Sequence, residues 1–221
     1  IIKNKLNSNV NNSFNYSHLL GLIQNSPLFY HISFQNVNLL PHQKEVYRSL
    51  LSRWPIYGLV ADEVGLGKTV EAGATIKYLK KFCSVNRSAL LVPSSLRYQW
   101  QREMYNLFGM KYYVYESASK SLVFSPNNEQ LDRLNNVGQG NYFDHGVDNI
   151  IFSWHYLRLR GANGKYRLSG ADNIDLIVVD ESHAARVTEA LSSDRNETQL
   201  HQFLSELLPQ IKHKLLLTAT P

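Results

Sequence analysis

The run Asp62-Glu63-Val64-Gly65-Leu66-Gly67-Lys68-Thr69 has the residue types of a phosphate-binding loop. Gly65 and Gly67 let the backbone turn tightly and bring its N–H groups close to phosphate oxygens. Lys68 supplies a point charge for the outer phosphates of a nucleotide, and Thr69 offers a hydroxyl to Mg²⁺. A helix opening near Lys68 adds the positive end of its dipole. The usual spacing asks for a glycine five residues before Gly67. Asp62 stands there instead, so the pattern is not met in full. Context separates this loop from a chance glycine turn: an apolar strand precedes it and a helical pattern follows it.

A second group lies far along the chain, where Val178-Val179-Asp180-Glu181-Ser182-His183 closes another apolar run. Alone, Asp-Glu at a strand end reads as a solvated turn. Paired with a phosphate loop, it reads as the acidic half of a hydrolytic site. Asp180 is then placed to hold Mg²⁺ through water, and Glu181 to orient and deprotonate the attacking water. His183 can link this site to the last strand.

These residues need strands and helices to hold them. Four apolar runs read as strands: Gly58 to Ala61, Ala89 to Val92, Leu176 to Val179 and Leu215 to Thr218. Tyr112 to Tyr115 and Ile150 to Ser153 make two more. Continuous apolar runs indicate strands buried on both faces. Helical patterns at Thr69 to Phe82 and Ser95 to Phe108 alternate with them. The expected fold class is therefore α/β, a central mostly parallel sheet covered by helices on both faces. Residues 116–148 are polar and hold Pro126, Gly138, Gly140 and Gly146, which predicts a surface excursion with a helix around Glu129 to Leu134. Residues 160–173 read as another polar connection. Residues 1–38, rich in Asn and Ser with Leu19, Leu20, Leu22 and Ile23 among them, read as an N-terminal extension ahead of one domain at 39–221.

Composition narrows the classes. The 221 residues are 43% hydrophobic and 19% charged, which is ordinary for a soluble globular chain. Cys83 is the only cysteine, so an internal disulfide and a cysteine metal cluster are excluded. A reducing, cytoplasmic compartment is the expectation. No apolar run is long enough to span a membrane as a helix. The N-terminus, Ile1-Ile2-Lys3-Asn4, has neither an initiator Met nor a signal pattern, and reads as the start of a piece of something longer. The net charge of +5 suits a phosphate-bearing partner but does not require one. The eight histidines show no ligand spacing, and His201 and His213 are expected on the surface.

In their order along residues 39–221, these segments resemble the helicase-like superfamily that includes the Swi/Snf ATPases. Leu39-Leu40-Pro41-His42-Gln43 resembles the segment whose Gln reads adenine; otherwise Gln43 is a polar residue early in a helix. Ala61 to Thr69 resembles motif I, often Asp-Glu-Met-Gly-Leu-Gly-Lys-Thr in that family. The resemblance makes Gln43, Asp62, Glu63, Gly65, Leu66, Gly67, Lys68 and Thr69 the ATP-binding set. Leu91 to Leu96 with Gln99-Trp100 resembles motif Ia, and Asp180 to His183 resembles motif II, with Ser182 where the family has Ala or Gly. Leu217-Thr218-Ala219-Thr220-Pro221 resembles motif III, which implies that Thr218 and Thr220 join His183 in coupling the site to movement. Val64 with Glu71-Ala72-Gly73 is similar in wording to bacterial RNA-polymerase-associated ATPases and related phage-defence helicases.

The resemblance implies a RecA-like P-loop lobe that binds ATP and Mg²⁺ and works with a second such lobe absent from this chain. It implies movement on duplex DNA, with RNA polymerase or defence-system proteins as partners, and slow hydrolysis by the fragment alone. A strand-separating DNA or RNA helicase and a nucleotide-gated binding module are the alternatives. A kinase or transporter ATPase does not account for Thr218-Ala219-Thr220 or Pro93-Ser94-Ser95. For nucleic acid, Ser94 and Ser95 suit a phosphate at a helix start with Arg97 beside them; equally, either serine can simply cap the helix. Ser153 is the contact implied after the Ile150 strand, near Trp154 and His155. Arg158 and Arg160 read as a basic track or a solvated face. Trp100 reads as core, at helical spacing from Leu96.

Overall fold

The computed structural model describes residues 37–63, 65–129, 132–138, 142–161, 164–168, 173–185, 187–189 and 195–219, with 187–189 and 195–197 as backbone. Val64, Thr220 and nearly all of the Asn-rich extension lie outside the described residues. All described elements belong to the compact unit Phe34–Pro221.

An eight-stranded sheet organises the unit, in the order β1-β10-β7-β2-β6-β3-β4-β5. The strands are β1 (Tyr57–Ala61), β2 (Ser88–Val92), β3 (Tyr113–Glu116), β4 (Ser121–Phe124), β5 (Asp132–Leu134), β6 (Asn149–Ser153), β7 (Leu176–Val179) and β10 (His213–Thr218). The first six in that order pair in parallel, and β4 pairs antiparallel with both β3 and β5. A separate ribbon pairs β8 (Val187–Glu189) with β9 (Arg195–Glu197). The helices are α1 (Pro41–Leu51), α2 (Lys68–Phe82), α3 (Arg97–Phe108), the single turn α4 (Trp154–Leu157) and α5 (Gln199–Leu207).

Sequence explains the layering. Every residue of β2 and of β7 is buried, as the apolar runs Ala89 to Val92 and Leu176 to Val179 require in the middle of a covered sheet. α3 buries Trp100, Gln101, Met104 and Phe108, one stripe at helical spacing. α2 presents Ala72, Ile76 and Leu79 inward, and its Gly73 lies under the Phe108 ring. A Cβ at position 73 would fall inside the van der Waals surface of that buried ring. Gly73→Ala is therefore expected to cost about 1–3 kcal/mol, the usual range for overpacking. Urea unfolding measures this, and an unchanged midpoint would mean that α3 sits farther from α2.

Two expectations change. The stretch 116–148 is not a plain surface excursion, because it supplies β4, β5 and the buried Leu122, Phe124, Val137, Tyr142 and Phe143. The helix expected around Glu129 to Leu134 is strand β5 over Asp132–Leu134. Cross-strand pairing with β4 and polar anchors override the local helical pattern. Asp132 accepts from Lys111 Nζ at 3.0 Å and from the Tyr113 hydroxyl, and Arg133 pairs with Glu116 at 2.9 Å. Tyr142 closes this region edge-on against Tyr115 and Phe152, with centroids 4.8 and 4.9 Å apart.

His213 is the second correction. It is 1% exposed, under the Trp54 ring, and its Nδ1 accepts the Ile56 N–H at 3.1 Å. Accepting that bond requires an unprotonated nitrogen. Burial, with Lys212 and Lys214 adding to it, pushes the pKa down to about 4. An unfolded His titrates near 6.5, so the unfolded chain binds more protons between the two values. Stability should therefore fall as pH drops from about 6.5 to about 4. Replacing His213 by Gln, which keeps an acceptor but does not titrate, should flatten part of that slope in thermal melts.

Parallel pairing has one consequence for function. It brings the carboxyl ends of β1, β2, β6, β7 and β10 to one edge of the sheet, where ligands of open α/β sheets bind.

Candidate nucleotide site

The phosphate loop leaves β1 and enters α2. Gly65 and Gly67 both hold φ of 90°, a left-handed conformation that favours glycine. Gly67 is also the residue before α2, and a Cβ there would lie 2.5 Å from Gln43 Nε2. Gln43 is buried against the loop. It accepts the Leu40 N–H at 3.0 Å and donates to Leu66 O at 3.0 Å. The expected adenine reader thus also braces the loop. Its amide keeps one N–H and one lone pair for another partner. Lys68 Nζ lies over the turn, donating to Asp62 O at 2.9 Å and Glu63 O at 3.2 Å. Thr69 follows in the first turn of α2.

Asp180 sits at the end of β7 and is 6% exposed. Its backbone N–H bonds Leu91 O of β2 at 2.9 Å. Its Oδ1 accepts the Glu181 N–H, and its Oδ2 accepts the Trp100 indole N–H, each at 2.9 Å. Burial still lifts its pKa above the ordinary carboxylate value, against the pull of those two donors and of Lys68. A desolvated carboxylate near the phosphate loop, with the Thr69 hydroxyl in the same region of chain, fits a hard divalent cation. Among the described residues no group of three or more His, Cys, Asp or Glu forms a cage for a metal. A cation here would take its remaining ligands from phosphate and water, as Mg²⁺ commonly does.

Glu181 adopts φ of 55°, uncommon for a residue with a side chain and frequent at functional sites. Its Oε2 lies 3.0 Å from His183 Nδ1, and the same nitrogen lies 3.4 Å from the Thr218 hydroxyl at the end of β10. His183 thereby lies between the carboxylate of Glu181 and the end of the last strand. Thr220 falls outside the described residues.

Two residues gain roles that sequence reading missed. Trp100 is core, 3% exposed, but also a hydrogen-bond donor to Asp180. Glu71 is fully buried behind the loop, and neither of its oxygens meets a donor. Burial, then the neighbouring Asp62 carboxyl, pushes its pKa up to about 8, against Lys68. That shift favours the protonated form of Glu71, which lets two carboxyls lie together. In sequence it enters only through the wording Glu71-Ala72-Gly73, which says nothing of its burial.

The residues expected at nucleic acid divide. Ser94 and Ser95 are exposed on a short 3₁₀ turn between β2 and α3. Neither caps a helix: the cap positions are Pro93 and Leu96, without side-chain cap bonds. Arg97 donates to Tyr115 O at 2.9 Å and Ser94 O at 3.1 Å, so much of its fork is committed to the backbone. Ser153 departs from expectation. Its hydroxyl is buried without a partner at the end of β6, out of reach of a strand lying on the surface. His155 is exposed next to it, stacked on Trp154 at 3.7 Å. Arg160 pairs with Glu206 at 2.9 Å, which removes most of its charge from any basic track.

A family model described as the SNF2-related domain matches residues 42–221. The chain belongs to this family. It is a Swi/Snf-type helicase-superfamily ATPase lobe, with the α/β fold and the nucleotide binding that membership brings. RNA polymerase-associated protein RapA of Actinobacillus pleuropneumoniae serotype 3 (strain JL03) is 34% identical over 185 residues, which is 83% of this chain and 18% of that protein. RapA of Proteus mirabilis (strain HI4320) is 31% identical over 186 residues, 83% of this chain and 17% of that one. The SNF2-family chain thus spans less than a fifth of these curated relatives. Among solved structures, the Sulfolobus solfataricus SWI2/SNF2 ATPase core in complex with dsDNA matches with a TM-score of 0.55 at 19% identity, over 84% of this chain and 33% of that one. The UvsW helicase of bacteriophage T4 matches with a TM-score of 0.54 at 9% identity, over 83% and 53%. At such identities the likeness concerns the fold alone. No helix among the described residues is long and apolar enough to cross a membrane.

Proposed function

We propose that this lobe binds ATP and Mg²⁺ and, with a second RecA-like lobe, drives movement along double-stranded DNA. The observation that carries the reading is the Glu181–His183–Thr218 chain beside the phosphate loop, which links the hydrolytic carboxylate to another strand of the sheet. The loop N–H groups and Lys68 receive the phosphates, and Gln43 faces the base. Thr69 and Asp180 would hold Mg²⁺, which would supply positive charge to the phosphates. Glu181 orients a water in line with the γ-phosphorus and takes its proton as the new O–P bond forms. The bond from the γ-phosphorus to the β-bridging oxygen breaks, and ADP leaves with the electron pair.

A change at the γ-phosphate then reaches Thr218 through His183. Ser94 and Ser95, at the same sheet edge, are placed to grip a phosphate backbone. Such a grip carries no base information, so affinity should be sequence-tolerant and should weaken with salt. Arginine fingers from a second lobe are worth about 10³–10⁵ in rate in related phosphoryl-transfer sites, so the single lobe should turn over slowly. The RapA relatives support RNA polymerase as a partner, and the sequence wording also admits a defence system.

The test is ATP turnover with duplex DNA, single-stranded DNA or RNA added. Duplex-specific stimulation supports the translocase. Stimulation by single strands alone would replace it with a strand-separating helicase. No turnover under any condition would leave a nucleotide-gated binding module.

A further inference from the structure

Asp180 is fixed from three directions. Its backbone hangs on Leu91 O of β2, its Oδ1 on the next residue's N–H, and its Oδ2 on an indole from α3. The last contact joins residues 80 apart in sequence, both nearly closed to solvent. An indole N–H donates and never accepts. It therefore always supports the ionised carboxylate and always in one direction. A ring that served only to fill space would have no need to end on a carboxylate, and Phe or Leu would pack at that depth without a polar atom to satisfy.

The geometry of the two donors matters more than their energy. With one N–H on each oxygen, the carboxylate cannot rotate about its Cβ–Cγ bond without breaking a buried hydrogen bond. Breaking it would leave a charged group unpaired away from water. The lone pairs left over are held in a fixed direction. Partners of this kind, behind a metal-binding side chain, typically control metal affinity by about 10–100-fold.

We propose that Trp100 is a positioning residue that holds the Asp180 carboxylate in the orientation needed to bind the divalent cation. This rests on the reading of Asp180 as a cation ligand. Trp100 touches neither substrate nor water in this role; it acts through Asp180. It also places α3, the helix that follows the exposed Ser94–Ser95 turn, in direct contact with the cation-binding side chain.

The test uses the full chain, with Mn²⁺ as the probe and saturating ADP present, and reads bound Mn²⁺ by electron paramagnetic resonance. Trp100→Phe keeps an aromatic ring and removes the donor. It should raise the Kd for Mn²⁺ by about tenfold or more. A second replacement at position 100, benzothienylalanine, has the bicyclic shape of tryptophan with sulfur in place of N–H. It tests the donor alone if the smaller ring unsettles the fold, and should weaken Mn²⁺ to the same degree. Asp180→Asn runs beside them. If Asp180→Asn weakens Mn²⁺ while both replacements of Trp100 stay within twofold of the unaltered chain, Trp100 is only packing and the proposal is overturned. If Asp180→Asn itself has no effect, the ligand reading fails, and the proposal that rests on it falls for that separate reason.

Discussion

Glu181→Gln is expected to cut ATP hydrolysis in the presence of duplex DNA by about 10²–10⁴-fold, the usual worth of a general base, while nucleotide affinity stays within a few-fold. Glutamine has nearly the shape of glutamate, and its carbonyl oxygen can still accept from His183, so the link at 3.0 Å has a replacement. It cannot take a proton from water. The separation of binding from turnover is the informative part. Among the described residues, the partners of Glu181 are Asp180, His183 and Ala184, none of them in the phosphate loop. Single-turnover hydrolysis beside fluorescent-nucleotide binding measures both. A variant that kept a tenth or more of the rate would assign the proton transfer elsewhere.

Lys68→Ala should act on the other quantity. Its ammonium donates to two loop carbonyls, Asp62 O and Glu63 O, and is the positive charge of the loop. A charge-assisted hydrogen bond is worth about 1.5–3 kcal/mol, so nucleotide Kd should rise by about 10–100-fold. The change spreads further, because Lys68 opposes the upward shift of both Glu71 and Asp180. Without it, both carboxyls should hold protons more tightly, and what binding remains should depend more steeply on pH. Equal affinity in the two proteins would show that the backbone N–H groups alone hold the phosphates.

Much of the scaffold was legible because burial on both faces leaves a plain trace. Ala89 to Val92 in β2 and Leu176 to Val179 in β7 are unbroken apolar runs, and the loop between β1 and α2 carries its glycines where left-handed φ is needed. The positions of Lys68 at the start of α2 and of Asp180-Glu181 just after β7 were legible too, because the neighbouring apolar runs fix them. What stayed hidden depends on contacts between distant residues. Nothing near His213 announces the Ile56 N–H, 157 residues away, that makes it a buried acceptor. Nothing in the spacing of Trp100 reveals that its ring edge meets a carboxylate. The strand at Asp132–Leu134 is fixed by partners on β4 and by Lys111, Tyr113 and Glu116, not by its own pattern. Ser153 was implied by the family resemblance, yet its hydroxyl is closed off from solvent.

β1 carries the phosphate loop, but among the described residues it pairs on one side only, with β10. Tyr57 and Leu59 remain 60% and 57% exposed. Natural edge strands are usually blunted by lysine, proline or a bulge, and Tyr57-Gly58-Leu59-Val60-Ala61 has no lysine or proline. An edge of this composition is open to pairing with another strand. Handled alone at high concentration, the lobe should tend to stick to itself through that strand, and the same open row of amides should be among the first in the sheet to trade hydrogen for deuterium.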